Sequence, residues 1–210
     1  MLILGLTGGI ASGKSTVVEI LKNKGAIIFD TDILAREVVN VGEPAWEEII
    51  AYFGEDIKLP DGAIDRKKLG NIVFNDPEAR HKLNLIVHPR IVEKLLAETD
   101  KLRNKKNPPK VVVYDVPLLI EAGMNKMVDM VVLVYASPEI QKERLKFRDG
   151  LSEEEIESRI GSQMPMEEKK KYADYIIYNE SHLEETTRQI EELWSILPLV
   201  NERKSGKNRK

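Results

Sequence analysis

Cysteine is missing altogether from this chain of 210 residues. That absence excludes disulfides, thiolate metal sites and a thiol nucleophile. Long apolar runs are missing too, and no stretch approaches the roughly 20 residues that a membrane span needs. Net charge is small: 32 Lys and Arg against 35 Asp and Glu leave −3, so no global excess points to nucleic acid or to a membrane surface. No internal repeat is present, which sets solenoids and propellers aside. What remains is 42% hydrophobic and 32% charged, the balance of a globular chain able to bury a proper core, with room for a small inserted subdomain. Leu2 to Leu6 is too short for the apolar region of a signal peptide, and a glycine-rich segment follows at once. The chain is therefore expected to begin with a strand and to work in the cytoplasm.

Against these absences stands one complete motif. Residues 8 to 15 read Gly-Gly-Ile-Ala-Ser-Gly-Lys-Ser, a G-x-x-x-x-G-K-[ST] phosphate loop. It lies behind the apolar run Leu2–Leu6 and ahead of a helical pattern from Thr16 to Lys24. A strand ending where the loop begins, and a helix starting at the Lys, let successive N–H groups wrap a polyphosphate at a helix N-terminus. Gly8 and Gly13 permit a backbone approach that a Cβ would block. Gly9, Ile10, Ala11, Ser12 and Thr16 complete the expected cradle. Lys14 would reach the β- and γ-phosphates of a nucleoside triphosphate, and the Ser15 hydroxyl would coordinate Mg²⁺.

Five apolar runs read as strands: 2–6, 26–29, 110–114, 130–135 and 175–178. They are continuous rather than alternating, as in parallel strands covered on both faces. Helical patterns separate them, giving the rhythm of a doubly wound α/β fold. Gly25 should close the first helix, Pro138 should open another, and Ser152 with Glu155 spells a capping box. The last helix is expected from about Leu183 to Ile196, stopping before Pro198. Residues 31 to 109 break the rhythm with helical stretches near 46–53, 65–74 and 78–99 and a turn at Pro60-Asp61-Gly62; they read as a helical substrate-binding insertion. A polar helical excursion over 141–171 reads as a lid. The nucleotide-binding core would then comprise residues 1–30, 110–140 and 172–200. The polar, basic 201–210 is expected to be a disordered tail.

Other carboxylates and cations sharpen the reading. The sequence Asp30-Thr31-Asp32 ends the second strand, where one carboxylate can orient or deprotonate an acceptor hydroxyl and the other can cap a helix. Asp32 is assigned to the substrate, and Asp30 to structure or to magnesium through water. Asp115 ends the third strand, where a carboxylate can hold Mg²⁺ through water or serve as a turn residue before Pro117. Arg144 and Arg148 are four apart, so they share a helical face and could clamp phosphoryl charge. Arg159 and Gln163 share a face too, with function and plain surface equally open. A guanine-reading N-K-x-D is not formed: Asn125-Lys126-Met127-Val128-Asp129 spaces the Asp one residue too far and lies before a strand. A small-molecule kinase fits best.

These residues together resemble the dephospho-coenzyme A kinases, over nearly the whole chain from Leu4 to about Asn179. The resemblance rests on the segments Leu6–Ser15, Asp30-Thr31-Asp32 with Ala35-Arg36, His88-Pro89 and Val116-Pro117-Leu118-Leu119-Ile120-Glu121. Gln141, Arg144, Arg148 and Gln163 follow, then Ala173–Asn179. The resemblance implies a P-loop NTPase fold, three layers α/β/α around a five-stranded parallel sheet. It implies transfer of the ATP γ-phosphate to the ribose 3′-hydroxyl of 3′-dephospho-coenzyme A, the last step of coenzyme A synthesis. It puts the orienting role on Asp32, lid clamping on Arg144 and Arg148, and substrate contacts at Arg36, His88 and Pro117. The 174–179 region, with Asn179, falls near adenine. The implied partner is that small molecule alone, with no nucleic acid, membrane or obligate protein partner. Three positions depart from the pattern: Ala11 and Ser181 stand where Gly is common, and Thr31 replaces an Ala.

Overall fold

A computed structural model describes residues 1–207, with side chains through residue 200. The chain divides into two units, one of residues 1–29 with 107 onward, the other of residues 30–106.

The first unit is built on a five-stranded parallel sheet of β1 (Leu2–Gly8), β2 (Ile27–Asp30), β3 (Val111–Asp115), β4 (Met130–Tyr135) and β5 (Tyr175–Tyr178). Their order is β2-β3-β1-β4-β5, with β1 at the centre. All five expected strands are present, shifted by a residue or two at their ends. β1, β3 and β4 are buried along their whole length, which is why they read as unbroken apolar runs rather than alternating ones. Leu2, Leu4 and Leu6 share one face with Val113 and Val132. That face packs against Val17 and Leu21 of α1 (Lys14–Asn23) and against Ile190, Leu193 and Leu197 of α9 (Leu183–Lys207). On the other face Leu133 and Tyr135 meet Met166 of the short helix α8 (Met166–Lys170). Gly5 lies on that second face too, under Leu119. A Cβ there would come within 2.7 Å of a Leu119 methyl, so the chain after β3 lies directly on the central strand.

The second unit is helical: α2 (Thr31–Glu37), α3 (Pro44–Phe53), α4 (Arg66–Asn75) and α5 (Pro77–Arg103). It has its own core of Ala45, Ile49, Ile57, Leu69 and Ile86. Aspartates set three of its helix starts, Asp30, Asp65 and Asp76 each accepting two N–H groups of the first turn. The expected turn is there, with Gly62 at φ 86° and its carbonyl accepting from the Trp46 indole at 3.0 Å. α5 carries Pro89 in its interior, and buried Ile86, Ile91 and Leu95 on either side hold the helix together across it.

Between β4 and β5 lie α6 (Pro138–Asp149), α7 (Glu153–Gly161) and α8. Pro138 opens α6, and both bonds of the Ser152–Glu155 capping box are made. One expectation fails. α9 does not stop before Pro198 but runs through it to Lys207. The apolar stripe of Ile190, Leu193, Leu197 and Val200 continues past the proline on the core side, and that packing outweighs the hydrogen bond a proline cannot make. Of the tail expected to be disordered, residues 201–207 carry helical backbone, and 208–210 lie outside the described residues.

The helical register across Pro198 is testable. Leu197 is 4% exposed and Leu199 is 56% exposed. Leu197→Ala should cost about 2–5 kcal/mol in urea unfolding, and Leu199→Ala should stay within about 0.5 kcal/mol. Equal losses would mean the helix ends earlier.

Candidate active site

The phosphate loop closes where β1 runs out. Gly13, at φ 85° and ψ 24°, is the residue preceding α1. Among the described residues no side chain caps that helix, and no acidic residue lies in its first turn. The first-turn N–H groups and the positive end of the helix dipole are therefore directed at whatever anion sits in the loop. A Cβ on Gly13 would fall 1.9 Å from the Asn179 amide nitrogen, so this position requires glycine for space as well as for its φ. Ala11 also holds a positive φ, 57°, in the left-handed region that costs an L-residue roughly 1–2 kcal/mol. Something must hold it there, and its carbonyl accepts a hydrogen bond from Arg144 Nη1 at 3.2 Å.

Arg144 is one of four side chains that fix the loop from outside it. Its Nη2 donates to the Asn179 carbonyl at 2.8 Å. The Asn179 carboxamide donates to the Ser12 carbonyl at 2.8 Å and accepts from the Thr186 hydroxyl at 2.9 Å, all three residues being buried. Gln141, one turn before Arg144 on α6, donates to the Ile10 carbonyl at 2.6 Å. The Ile10 N–H donates in turn to Gln163 Oε1 at 2.8 Å. The two successive peptide units that meet at Ile10 are thus each gripped by a glutamine. Gly9 has no room for a Cβ, which would lie 2.4 Å from the Gln141 amide.

The charged pair of the site follows from strand register. Leu6 of β1 is opposite Asp115 of β3, so the last residue of β3 lies just short of the loop. The Lys14 ammonium reaches across to the Asp115 carboxylate and pairs with it. Ser15, one residue on, is exposed. Among the described residues no cluster of three or more His, Asp or Glu could cage a metal. Magnesium fits such a place nonetheless, because it is commonly bound through one or two protein ligands and substrate phosphates rather than by a protein cage.

The remaining sequence candidates are placed as follows. Pro117 is half-buried, and its carbonyl accepts from the Thr7 hydroxyl at 2.9 Å. Arg148 is exposed and, among the described residues, bound only to its neighbour Asp149, at 2.7 and 2.9 Å. That bond holds the Asp149 carboxyl below the usual carboxylate range. Asp32, Arg36 and His88 belong to the helical unit, and all three are exposed. Asp32 and Arg36 share a face of α2, four residues apart, while the Asp30 side chain is taken up by the N–H groups of Asp32 and Ile33. Asn179 is not free to meet a purine with its carboxamide, because both ends of that group are engaged beneath the loop. Sequence reasoning missed the loop-holding role of Gln141, although its i, i+3 spacing to Arg144 puts the two on one helical face. Gln163, left open between function and surface, touches the loop.

Comparison with known proteins gives the family. The family model for dephospho-CoA kinase matches residues 2–185. A dephospho-CoA kinase of Geobacter sulfurreducens is 51% identical over 195 residues, covering 93% of this chain and 98% of that one. A dephospho-CoA kinase of Geobacillus kaustophilus is 49% identical, covering 90% and 93%. Among solved structures, a dephospho-CoA kinase from Campylobacter jejuni superposes with a TM-score of 0.72 at 30% identity, covering 95% of this chain and 98% of that one. A Thermus thermophilus protein superposes with a TM-score of 0.76 at 33% identity, covering 92% and 96%. A phosphate loop gripped by α6 and the end of β5, with family similarity from the first strand into the last helix, leads to one conclusion: the chain belongs to the dephospho-CoA kinase family.

Proposed function

We propose that this protein transfers the γ-phosphate of ATP to the ribose 3′-hydroxyl of 3′-dephospho-coenzyme A, giving coenzyme A and ADP in the cytoplasm. The observation that carries the reading is the Lys14–Asp115 pair at the mouth of a fully braced phosphate loop, in a chain of this family.

The loop from Gly8 to Thr16 binds the triphosphate through backbone N–H groups, and Lys14 neutralises charge on its β- and γ-phosphates. Ser15 and, through water, Asp115 would hold Mg²⁺, which supplies charge neutralisation and phosphate alignment when bound. Lys14 then exchanges its carboxylate partner for phosphate oxygens. Asp32, exposed at the first turn of α2, accepts a hydrogen bond from the acceptor hydroxyl and aligns it for in-line attack. Arg36 on the same face and His88 on α5 are the substrate-contacting groups of the 31–109 insertion. The excursion over 141–171 acts as the lid: Gln141, Arg144 and Gln163 hold its two ends on the loop, and the part between them, the end of α6 with α7, closes and excludes water. Within the lid the two arginines divide the work. Arg144 holds the loop in its strained form, and Arg148, tied to its neighbour Asp149 at the surface, is the guanidinium that can exchange partners for phosphoryl charge.

Release of ADP from MgATP should depend on 3′-dephospho-coenzyme A; release indifferent to that acceptor, with turnover of a nucleoside monophosphate, would favour a different small-molecule kinase. Asp32→Asn should lower kcat by about 10²-fold or more in this assay while the KM for ATP changes little. A near-normal kcat would move the aligning role elsewhere. Lys14→Ala should impair both ATP binding and turnover, and chelation of Mg²⁺ by EDTA should abolish turnover reversibly.

A further inference from the structure

Lys169 is a lysine with a fully buried side chain, 0% exposed, and no step above uses it. It lies on α8, outside the phosphate loop and its immediate braces. Its ammonium makes an ion pair with Glu121 Oε1 at 2.9 Å and donates to the Pro117 carbonyl at 3.2 Å. Each acceptor leads toward the loop. The Pro117 carbonyl also accepts from Thr7 Oγ1 at 2.9 Å, and Thr7 is the residue before Gly8. Glu121 Oε1 also accepts from the Met164 N–H at 3.1 Å, and Met164 follows Gln163, whose Oε1 holds the Ile10 N–H at 2.8 Å.

We infer that Lys169 is a positioning residue for ATP: through Glu121 it fixes the backbone at Met164, and so sets Gln163 against the Ile10 N–H of the phosphate loop. An ammonium removed from water needs fixed acceptors, and both of those present lie on the segment that follows β3. The segment 163–169 is thereby fastened to the core at both ends, by Gln163 on the loop and by Lys169 on the chain after β3. In isolation a buried ion pair says little about stability. Here its value lies in geometry, because a carboxylate oxygen shared by an ammonium and an N–H permits little freedom at Met164. Glu121, 23% exposed on its side chain, would turn toward water if its cation were removed. The Met164 N–H would lose its acceptor, and Gln163 would lose its fixed approach to Ile10.

The inference rests on the loop being an ATP site, so its test reads ATP binding directly and needs no acceptor. The β,γ-methylene analogue of ATP, with Mg²⁺, is titrated calorimetrically into the full chain, into Lys169→Met, into Gln163→Ala and into the double variant. Each single change should weaken binding by about tenfold, and the double variant should fall well short of the product of the two. Should Lys169→Met fail to fold, Glu121→Gln enters the same cycle in its place. Binding by the single variant as tight as by the unchanged chain, with only a lowered melting temperature or a smaller bound fraction, would reduce Lys169 to a packing residue and overturn the inference. Losses that multiply in full would overturn the route through Gln163. Absence of binding to the unchanged chain would overturn the ATP-site reading itself, and the inference with it.

Discussion

Everything at this site depends on a backbone that will not hold its shape unaided. For its amides to converge on phosphate, the loop must place Gly13 and even Ala11 in the left-handed region. The second is unfavourable for a residue with a Cβ. The compensation comes from side chains far away in sequence: Arg144 on the Ala11 carbonyl, Asn179 on the Ser12 carbonyl, Gln141 on the Ile10 carbonyl and Gln163 on the Ile10 N–H. Strained backbone at a functional site persists only where its surroundings over-determine it. That requirement explains why polar side chains such as Gln141 and Asn179 are buried in what would otherwise be apolar space.

The sheet makes this bracing possible. Parallel order with β1 in the centre carries the ends of β3, β4 and β5 to one edge, where Asp115, the chain after Tyr135, and Asn179 border the loop. Ion pairing between Lys14 and Asp115 follows from strand register and not from sequence proximity. The helical unit of residues 30–106 closes on its own core, with aspartate caps setting helix starts.

Much of this was legible in the sequence, and the legible parts share a cause. Fully buried strands and a glycine-rich turn leave local signals, so the five strands, the phosphate loop, the Ser152 capping box and the Pro138 helix start could be read directly. The long α9 was misread at Pro198, since a local rule about proline gives way where Leu197 and Val200 still meet the core. The long-range contacts left almost no local trace. Nothing near Lys169 announces that its partners lie some fifty residues earlier, and nothing near Asn179 shows that its carboxamide belongs under Ser12. Arg144 touches the loop, and a spacing of four to Arg148 does not tell a phosphate clamp from a brace on the loop.

The central claim is a single phosphoryl transfer to one hydroxyl, and the product carries the most direct evidence. Phosphorus-31 NMR and mass measurement of the product formed from MgATP and 3′-dephospho-coenzyme A decide it. One added phosphate is expected, as a monoester on the ribose 3′-oxygen. Phosphate at any other position, or free inorganic phosphate with the acceptor unchanged, would contradict it.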